Sequence, residues 1–185
     1  MTIFKPKRYP KVECCGCGNC CSIPEIPITH KDLERLVKVT GMPASRIVRF
    51  CSDSEMEFDA DSGLWISFKT GKKAMVLRKR RGRCVFQTKT CTCKAYEARP
   101  QTCRTFPYSV DFEDAKCKEV NKISLNNIID CKGVKCKEID VDNLIANVRR
   151  ESREDRAYHG LIRVWNKSGG DMCGSIDFLM YIGFF

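Results

Sequence analysis

KVECCGCGNCC, residues 11–21, carries Cys14, Cys15, Cys17, Cys20 and Cys21 within eight residues. The stretch holds almost nothing apolar for a core to form around, so packed hydrophobic cysteines are a poor account of it. Disulfides inside it would close very short loops, which are strained and gain little stability. A metal held by thiolates explains it better. The C-x2-C interval lets two thiolates reach one centre from a tight turn, and Gly16 and Gly18 free the backbone to wrap that centre. Cys14, Cys17 and Cys20 match the opening of a ferredoxin-type C-x2-C-x2-C run. The fourth ligand of such a run is missing at its usual place, so it must come from elsewhere in the chain. The glycine after Cys17 also suits a zinc knuckle. Adjacent Cys20 and Cys21 are expected to diverge, one serving the first centre and the other a second centre or remaining a buried thiol.

Working outward, the chain has 185 residues, 43% hydrophobic and 30% charged, an ordinary globular balance expected to form a single domain over 1–185. Fourteen cysteines against two histidines is the outlier. The start, MTIFKPKRYPKVE, turns polar and basic within five residues and has neither an apolar segment nor a small-residue cleavage site. Reduced thiols in a cytoplasmic protein are therefore expected rather than disulfide staples. No apolar run approaches the ~20 residues that span a bilayer. The tail SIDFLMYIGFF, Ser175 to Phe185, is short and contains Asp177. It reads as a docking helix or a surface for a protein partner, ahead of an interfacial anchor. The formal charge of +10 falls once metal is counted. Eight thiolates on two doubly charged centres bring the net to about +6, which is no longer a nucleic-acid signature.

The elements follow from periodicity. Thr29 caps HKDLERLVKVTG with Asp32 as its capping-box partner, Leu33, Leu36 and Val37 share one face, and Gly41 with Pro43 ends the helix. ASRIVRF adds a short second helix. LWISFK and AMVLRK flank a TGK turn, and CVF follows a second turn at Arg81-Gly82, predicting a short antiparallel sheet. From Val141 to Trp165 apolar residues recur at helical spacing, interrupted by RRESRED, which reads as a water-facing helical stretch. The fold class predicted is α+β: a small metal-stabilised domain with a short antiparallel sheet, irregular cysteine-rich segments at 14–21 and 84–103, and a helical C-terminal part over 141–185.

The second block, RGRCVFQTKTCTCKAYEARPQTCRTFPY, supplies Cys84, Cys91, Cys93 and Cys103. Together, C-x-x-C-G-x-C-C, then G-x-C-V-F, then C-x-x-Y-E-x-R-P-x-x-C-R-T-F-P resemble the YkgJ-type CxxCxxCC cysteine-cluster family, described as zinc- or iron-chelating. Ile129 to Gly133, Trp165-Asn166 and FLMYI extend the resemblance over most of the chain. It implies that Cys14, Cys17, Cys20, Cys21, Cys84, Cys93, Cys103 and Cys131 are metal ligands, enough for two four-cysteine sites. Cys15, Cys51, Cys91, Cys117, Cys136 and Cys173 fall outside the family pattern. Cys91 competes with Cys93, Cys136 could pair with Cys131, and the others default to buried thiols. The family implies no established reaction. One branch is similar to flagellin lysine-N-methylase, but no glycine-rich S-adenosylmethionine loop follows a strand here, so methyl transfer ranks low.

Arg99 and Arg104 flank Cys103 and are candidates to donate to sulfur around the centre. A structural ion pair, such as one with Glu97, is the plainer reading at even weight. Tyr96 is expected in the core. LRKRRGR, Leu77 to Arg83, lacks interleaved aromatics and reads as a solvated strand edge rather than a nucleic-acid surface. His30 and His159 lack ligand-spaced partners and read as polar surface residues. The C-x2-C-x2-C run and the scarcity of histidine favour an iron–sulfur centre, most simply [4Fe–4S], over zinc. An iron–sulfur protein with a redox or modification-assisting role is weighed against a zinc module with a protein-binding surface. No hydrolytic constellation stands out.

Overall fold

The computed structural model describes residues 9–13, 17–22, 25–56, 62–113, 120–126, 133–136 and 138–184. Cys14, Cys15, Cys117 and Cys131 lie outside the described residues. In chain order the described elements begin with β1 (Val12–Glu13), α1 (His30–Thr40), α2 (Ala44–Ile47), β2 (Val48–Ser52), β3 (Ile66–Phe68), β4 (Gly71–Leu77), β5 (Lys79–Arg80) and β6 (Arg83–Cys84). They continue with α3 (Gln101–Thr105), β7 (Tyr108–Phe112), β8 (Val120–Leu125), β9 (Val134–Lys135), α4 (Val141–Lys167) and α5 (Ser175–Tyr181). Mixed helices with short antiparallel sheets and a helical C-terminal part match the expected class.

α1 starts as its sequence dictates. The Asp32 amide donates to the Thr29 hydroxyl at 3.2 Å, the Thr29 amide donates to the Asp32 carboxylate at 3.0 Å, and Gly41 ends the helix at φ 64°. Leu33 and Leu36 on its inner face are fully buried. The second expected helix is shorter than ASRIVRF suggests. It ends at Ile47, and Val48–Ser52 becomes a strand, giving a sheet ordered β2-β4-β3. A two-strand hairpin would leave one edge of the seven-residue β4 unpaired, and β2, starting from β-branched Val48, closes that edge from Val48↔Leu77 to Ser52↔Lys73. The predicted turn at Arg81-Gly82 joins β5 to β6. Both residues have positive φ, 54° and 75°, as a two-residue hairpin loop demands, and the turn delivers Cys84 to the interior.

The main core lies between the β2-β4-β3 sheet, α1, α4 and α5. Phe50, Phe68, Tyr158, Trp165 and Phe178 pack edge-on or tilted with centroids 5.2–6.5 Å apart. Trp165 donates its indole N–H to the Ser67 carbonyl (2.9 Å), while the Asn166 amide accepts from the Ser67 N–H (2.8 Å) and donates to the Trp65 carbonyl (2.9 Å). This pins the end of α4 to β3. The apolar tail is a docking helix: α5 buries Phe178 completely in this core.

Two expectations are corrected here. RRESRED is not uniformly solvated, because Glu154 binds Arg35 of α1 and Glu151 accepts from Thr102 of α3. α4 packs on α3 along this stretch, so its acidic side turns inward. His30 is half-buried and stacks on Tyr158 with ring centroids 5.8 Å apart, while His159 is half-buried beside Gly63.

Candidate metal centre

Two pieces of irregular backbone and one short helix bring cysteines to one cavity. Gly18, at φ 75°, leads into the turn Asn19–Cys21, where the Cys21 amide donates to the Gly18 carbonyl at 3.0 Å. The 84–93 segment folds back on itself. Gln87 bridges to Cys93, the Lys94 amide donates to the Phe86 carbonyl at 2.9 Å, and Thr88, Thr90 and Thr92 share hydroxyl hydrogen bonds around Cys91. α3 then carries Cys103. The blocks touch at Gly18, where a Cβ atom would lie 3.3 Å from the Cys91 sulfur, and the Gln87 amide donates to the Gly18 carbonyl at 3.4 Å. Only glycine fits that approach and that φ.

The resulting cavity, about 450 Å³, is lined by Cys17, Cys20, Cys21, Cys84, Cys91, Cys93 and Cys103, with apolar walls from Ile26, Leu36, Leu77 and Phe86. Every described cysteine of the family pattern faces it. Cys20 and Cys21 do not diverge to separate sites. The tight turn aims both into this cavity, and the Cys21 thiol hydrogen-bonds the Cys20 sulfur. Cys91, outside the family pattern, also lines it, at a positive φ of 61° that no local sequence signal announced. By contrast, Cys51 is buried in a separate cluster with Met56, Trp65, Ala74 and Val76, where burial pushes its thiol up to about 12. Cys173 packs at the edge of the main core, and Cys136 follows β9.

Electrostatics tie these thiols together. Hydrogen bonding from Cys21 lowers the Cys20 pKa, and the Arg99 charge adds to that. Burial raises Cys84, Cys93 and Cys103, and neighbouring thiols add to it: Cys93 and Cys20 for Cys84, Cys20 for Cys93, and Cys84, Cys20 and Cys93 for Cys103. Crowded thiols in an apolar cavity resist ionisation until a cation compensates them. Among the described residues no group of three or more His, Cys, Asp or Glu side chains is drawn together tightly enough to hold an ion as it stands. The donor chemistry nonetheless fits a soft metal centre: thiolate sulfur throughout and no histidine on the cavity wall.

The two arginines separate. Arg99 lines the cavity with its guanidinium 3.8 Å from the centroid of the Tyr96 ring and its Nε buried without a partner among the described residues. Its charge adds to the lowering of the Cys20 pKa and partly opposes the burial that raises Cys93. Arg104 does not line the cavity. It donates from Nε to the Arg99 carbonyl (3.0 Å) and from its other end to the Glu97 carbonyl, so it braces the loop that positions Arg99. The expected pair with the Glu97 carboxylate is replaced by backbone contacts. Tyr96 is about half exposed (51%) and forms the cation–π lid of Arg99 rather than core.

The CxxCxxCC family model, described as "Putative zinc- or iron-chelating domain", matches residues 13–127. A Methanocaldococcus jannaschii protein, "Uncharacterized protein MJ0661", is 30% identical over 104 residues, covering 56% of this chain and 48% of that protein. The chain thus spans about half the length of that relative. No solved structure matches.

Proposed function

Because the chain belongs to the CxxCxxCC family, matched over residues 13–127, we propose that it holds an iron–sulfur cluster, of [4Fe–4S] type, on thiolates from both cysteine blocks. Family membership supports metal chelation in general. The observation that carries the finer reading is the single cavity in which seven cysteines from residues 17–103 meet the unpartnered Nε of Arg99. The proposed ligands are drawn from Cys17, Cys20, Cys21, Cys84, Cys93 and Cys103, with Cys91 as an alternate. Cys14 and Cys131, outside the described residues, belong to the same expected set. One zinc ion gathers its sulfurs at about 2.3 Å from a single point. A cavity of about 450 Å³ with seven cysteines spread around its wall suits a larger, polynuclear group.

The bound cluster would supply one-electron exchange, directly or in support of a modification reaction. The chain's own residues would set its properties. Ile26, Leu36 and Phe86 exclude water from one side, and Arg99 is placed to donate to sulfur and offset the negative charge of a thiolate-ligated core. Electron exchange needs a protein partner, and the exposed Met172, Ile176 and Met180 (81%, 71% and 49%) give the C-terminal region an apolar surface for one. A cytoplasmic setting keeps the free thiols reduced.

Protein purified without oxygen is expected to be brown and to contain iron and inorganic sulfide in equal amounts. Colourless protein carrying stoichiometric zinc and no sulfide would replace this reading with that of a zinc module.

A further inference from the structure

Behind the cysteine cavity, on the other side of α3, lies a second pocket of about 280 Å³. Its floor is apolar, built from Pro27, Ile28 and Leu64. The lining also carries four carboxylates, Asp32 from α1 and Glu151, Glu154 and Asp155 from α4. Arg35 is the cation that pairs with this group: it binds Asp32 at 2.5 Å and both oxygens of Glu154 at 2.7 and 2.8 Å. Glu151 receives only neutral donors, the hydroxyls of Thr102 (2.7 Å) and Thr105 (3.3 Å). Asp155 has no hydrogen bond or ion pair among the described residues. Among the described residues one guanidinium is ion-paired within this group of four carboxylates, and burial with mutual repulsion raises the pKa of both Glu151 and Asp155. Exposed Arg156 on the same helix offsets Asp155 less than the three carboxylates oppose it.

A second, independent feature marks the same place. Gln101, only 2% exposed, lines the pocket, and neither its side-chain amide nitrogen nor its side-chain amide oxygen has a partner among the described residues. Ser62 Oγ and His159 Nε2, from two other segments of the lining, are also buried and have no partner among the described residues. Buried polar groups are ordinarily satisfied, and three unsatisfied ones converging on a carboxylate-walled pocket point to a ligand that satisfies them. A ligand for this lining carries positive charge and N–H donors at one end, for the carboxylates and for the acceptor atoms Gln101 Oε1, Ser62 Oγ and His159 Nε2, and tolerates an apolar floor at the other.

We propose that this pocket binds a small organic cation, an ammonium or guanidinium group on a short carbon chain. The head sits among Glu151, Asp155 and Gln101, and the chain lies against Pro27, Ile28 and Leu64. A hard divalent ion, which asks for six or more oxygens around one point, would leave that apolar floor unused. The site is separate from the cysteine cavity and stands whether that cavity holds iron or zinc.

Calorimetric titration of the full chain with its native metal in place tests the proposal, using putrescine, agmatine and n-butylamine, with MgCl2 and CaCl2 alongside. Saturable 1:1 binding of at least one amine is expected, and it should persist in about 0.15 M salt because a buried pocket is screened less than a surface. Asp155→Asn, nearly isosteric, should weaken it at least tenfold with metal content unchanged, and Glu151→Gln serves as the second variant if the first folds poorly. Three results overturn the proposal: no saturable heat from any of the amines, binding that vanishes at that salt concentration, or amine affinity unchanged in both variants. Stoichiometric Mg2+ or Ca2+ binding that displaces the amines would also overturn it, in favour of a metal site.

Discussion

The two faces of α3, five residues long, meet opposite chemistries. Cys103 points into a cavity of soft sulfur donors, and Gln101 with Thr102 lines a pocket of hard carboxylate oxygens. The sulfur side is assembled from irregular backbone, the turn at 19–21 and the folded-back loop at 87–93, whereas the oxygen side is built on the two long helices α1 and α4. A metal can substitute for missing regular structure because thiolate bonds close long loops. A shared centre spanning Cys21 to Cys84 would remove denatured-state entropy on the order of 4 kcal/mol, by analogy with a disulfide of that span. The carboxylate side has no such cross-link and relies on packing and on Asp32.

The contrast is broken most severely at Cys103. Cys103→Ser should reduce metal retention by tenfold or more, since even removing groups that only orient ligands costs that much. Cys51→Ser and Cys173→Ser, whose residues lie away from the cavity, should leave metal content intact. Metal quantification after anaerobic desalting checks this, and equal loss in all three variants would dissolve the distinction between cavity and core thiols.

These two faces were not equally legible. The sulfur donors announce themselves because cysteine is rare, clustered at 14–21 and spaced at C-x2-C, so residue type alone marks the chemistry. Their meeting point was not legible: Gly18 against Cys91, and Cys20 beside Cys21 in one cavity, are products of a turn geometry with no spacing signal. The carboxylate pocket was hidden for another reason. Asp32 reads fully as a capping-box residue, and Glu151, Glu154 and Asp155 sit within RRESRED, whose composition is that of any solvated helix face. Only the packing of α4 onto α3 turns those acids inward. Likewise β2 was concealed by a helix-compatible stretch, ASRIVRF, whose second half is claimed by the unpaired edge of β4.

A middle-sized effect sharpens the role of the helix between the sites. Asp32 accepts from Thr29, from Arg35 and from the Gln101 backbone N–H at 2.9 Å, so a single buried carboxylate caps α1 and anchors the start of α3. Asp32→Ala should destabilise the protein by about 3 kcal/mol in urea unfolding, the low end of the cost of halving a buried ion pair because Arg35 keeps Glu154. It should also speed hydrogen exchange at residues 101–105. Exchange unchanged there would mean that α3 is held by the metal side alone.

The smallest expected effect tests the oxygen side by pH. Burial, followed by repulsion from Glu151, Asp32 and Glu154, pushes the Asp155 carboxyl up to about 7. In the unfolded chain it would titrate near its ordinary ~3.9. Between these values the folded protein holds a proton that the unfolded chain has released, so this residue makes stability fall as pH rises from about 4 to about 7. Above 7 the full penalty remains, carried by an ionised carboxylate with no partner among the described residues. Asp155→Asn removes the titration and should match the parent near pH 4, exceed it slightly at pH 5 and exceed it most at pH 8. Because the group is partly exposed, the gain is discounted to about 1 kcal/mol. Thermal unfolding of both proteins at pH 5 and pH 8 reads it directly. An equal difference at the two values would show that Asp155 titrates normally and that the pocket is open enough for solvent to screen its charge. A stabilised variant that has also lost amine binding would show that this carboxylate is kept for the ligand at the expense of the fold.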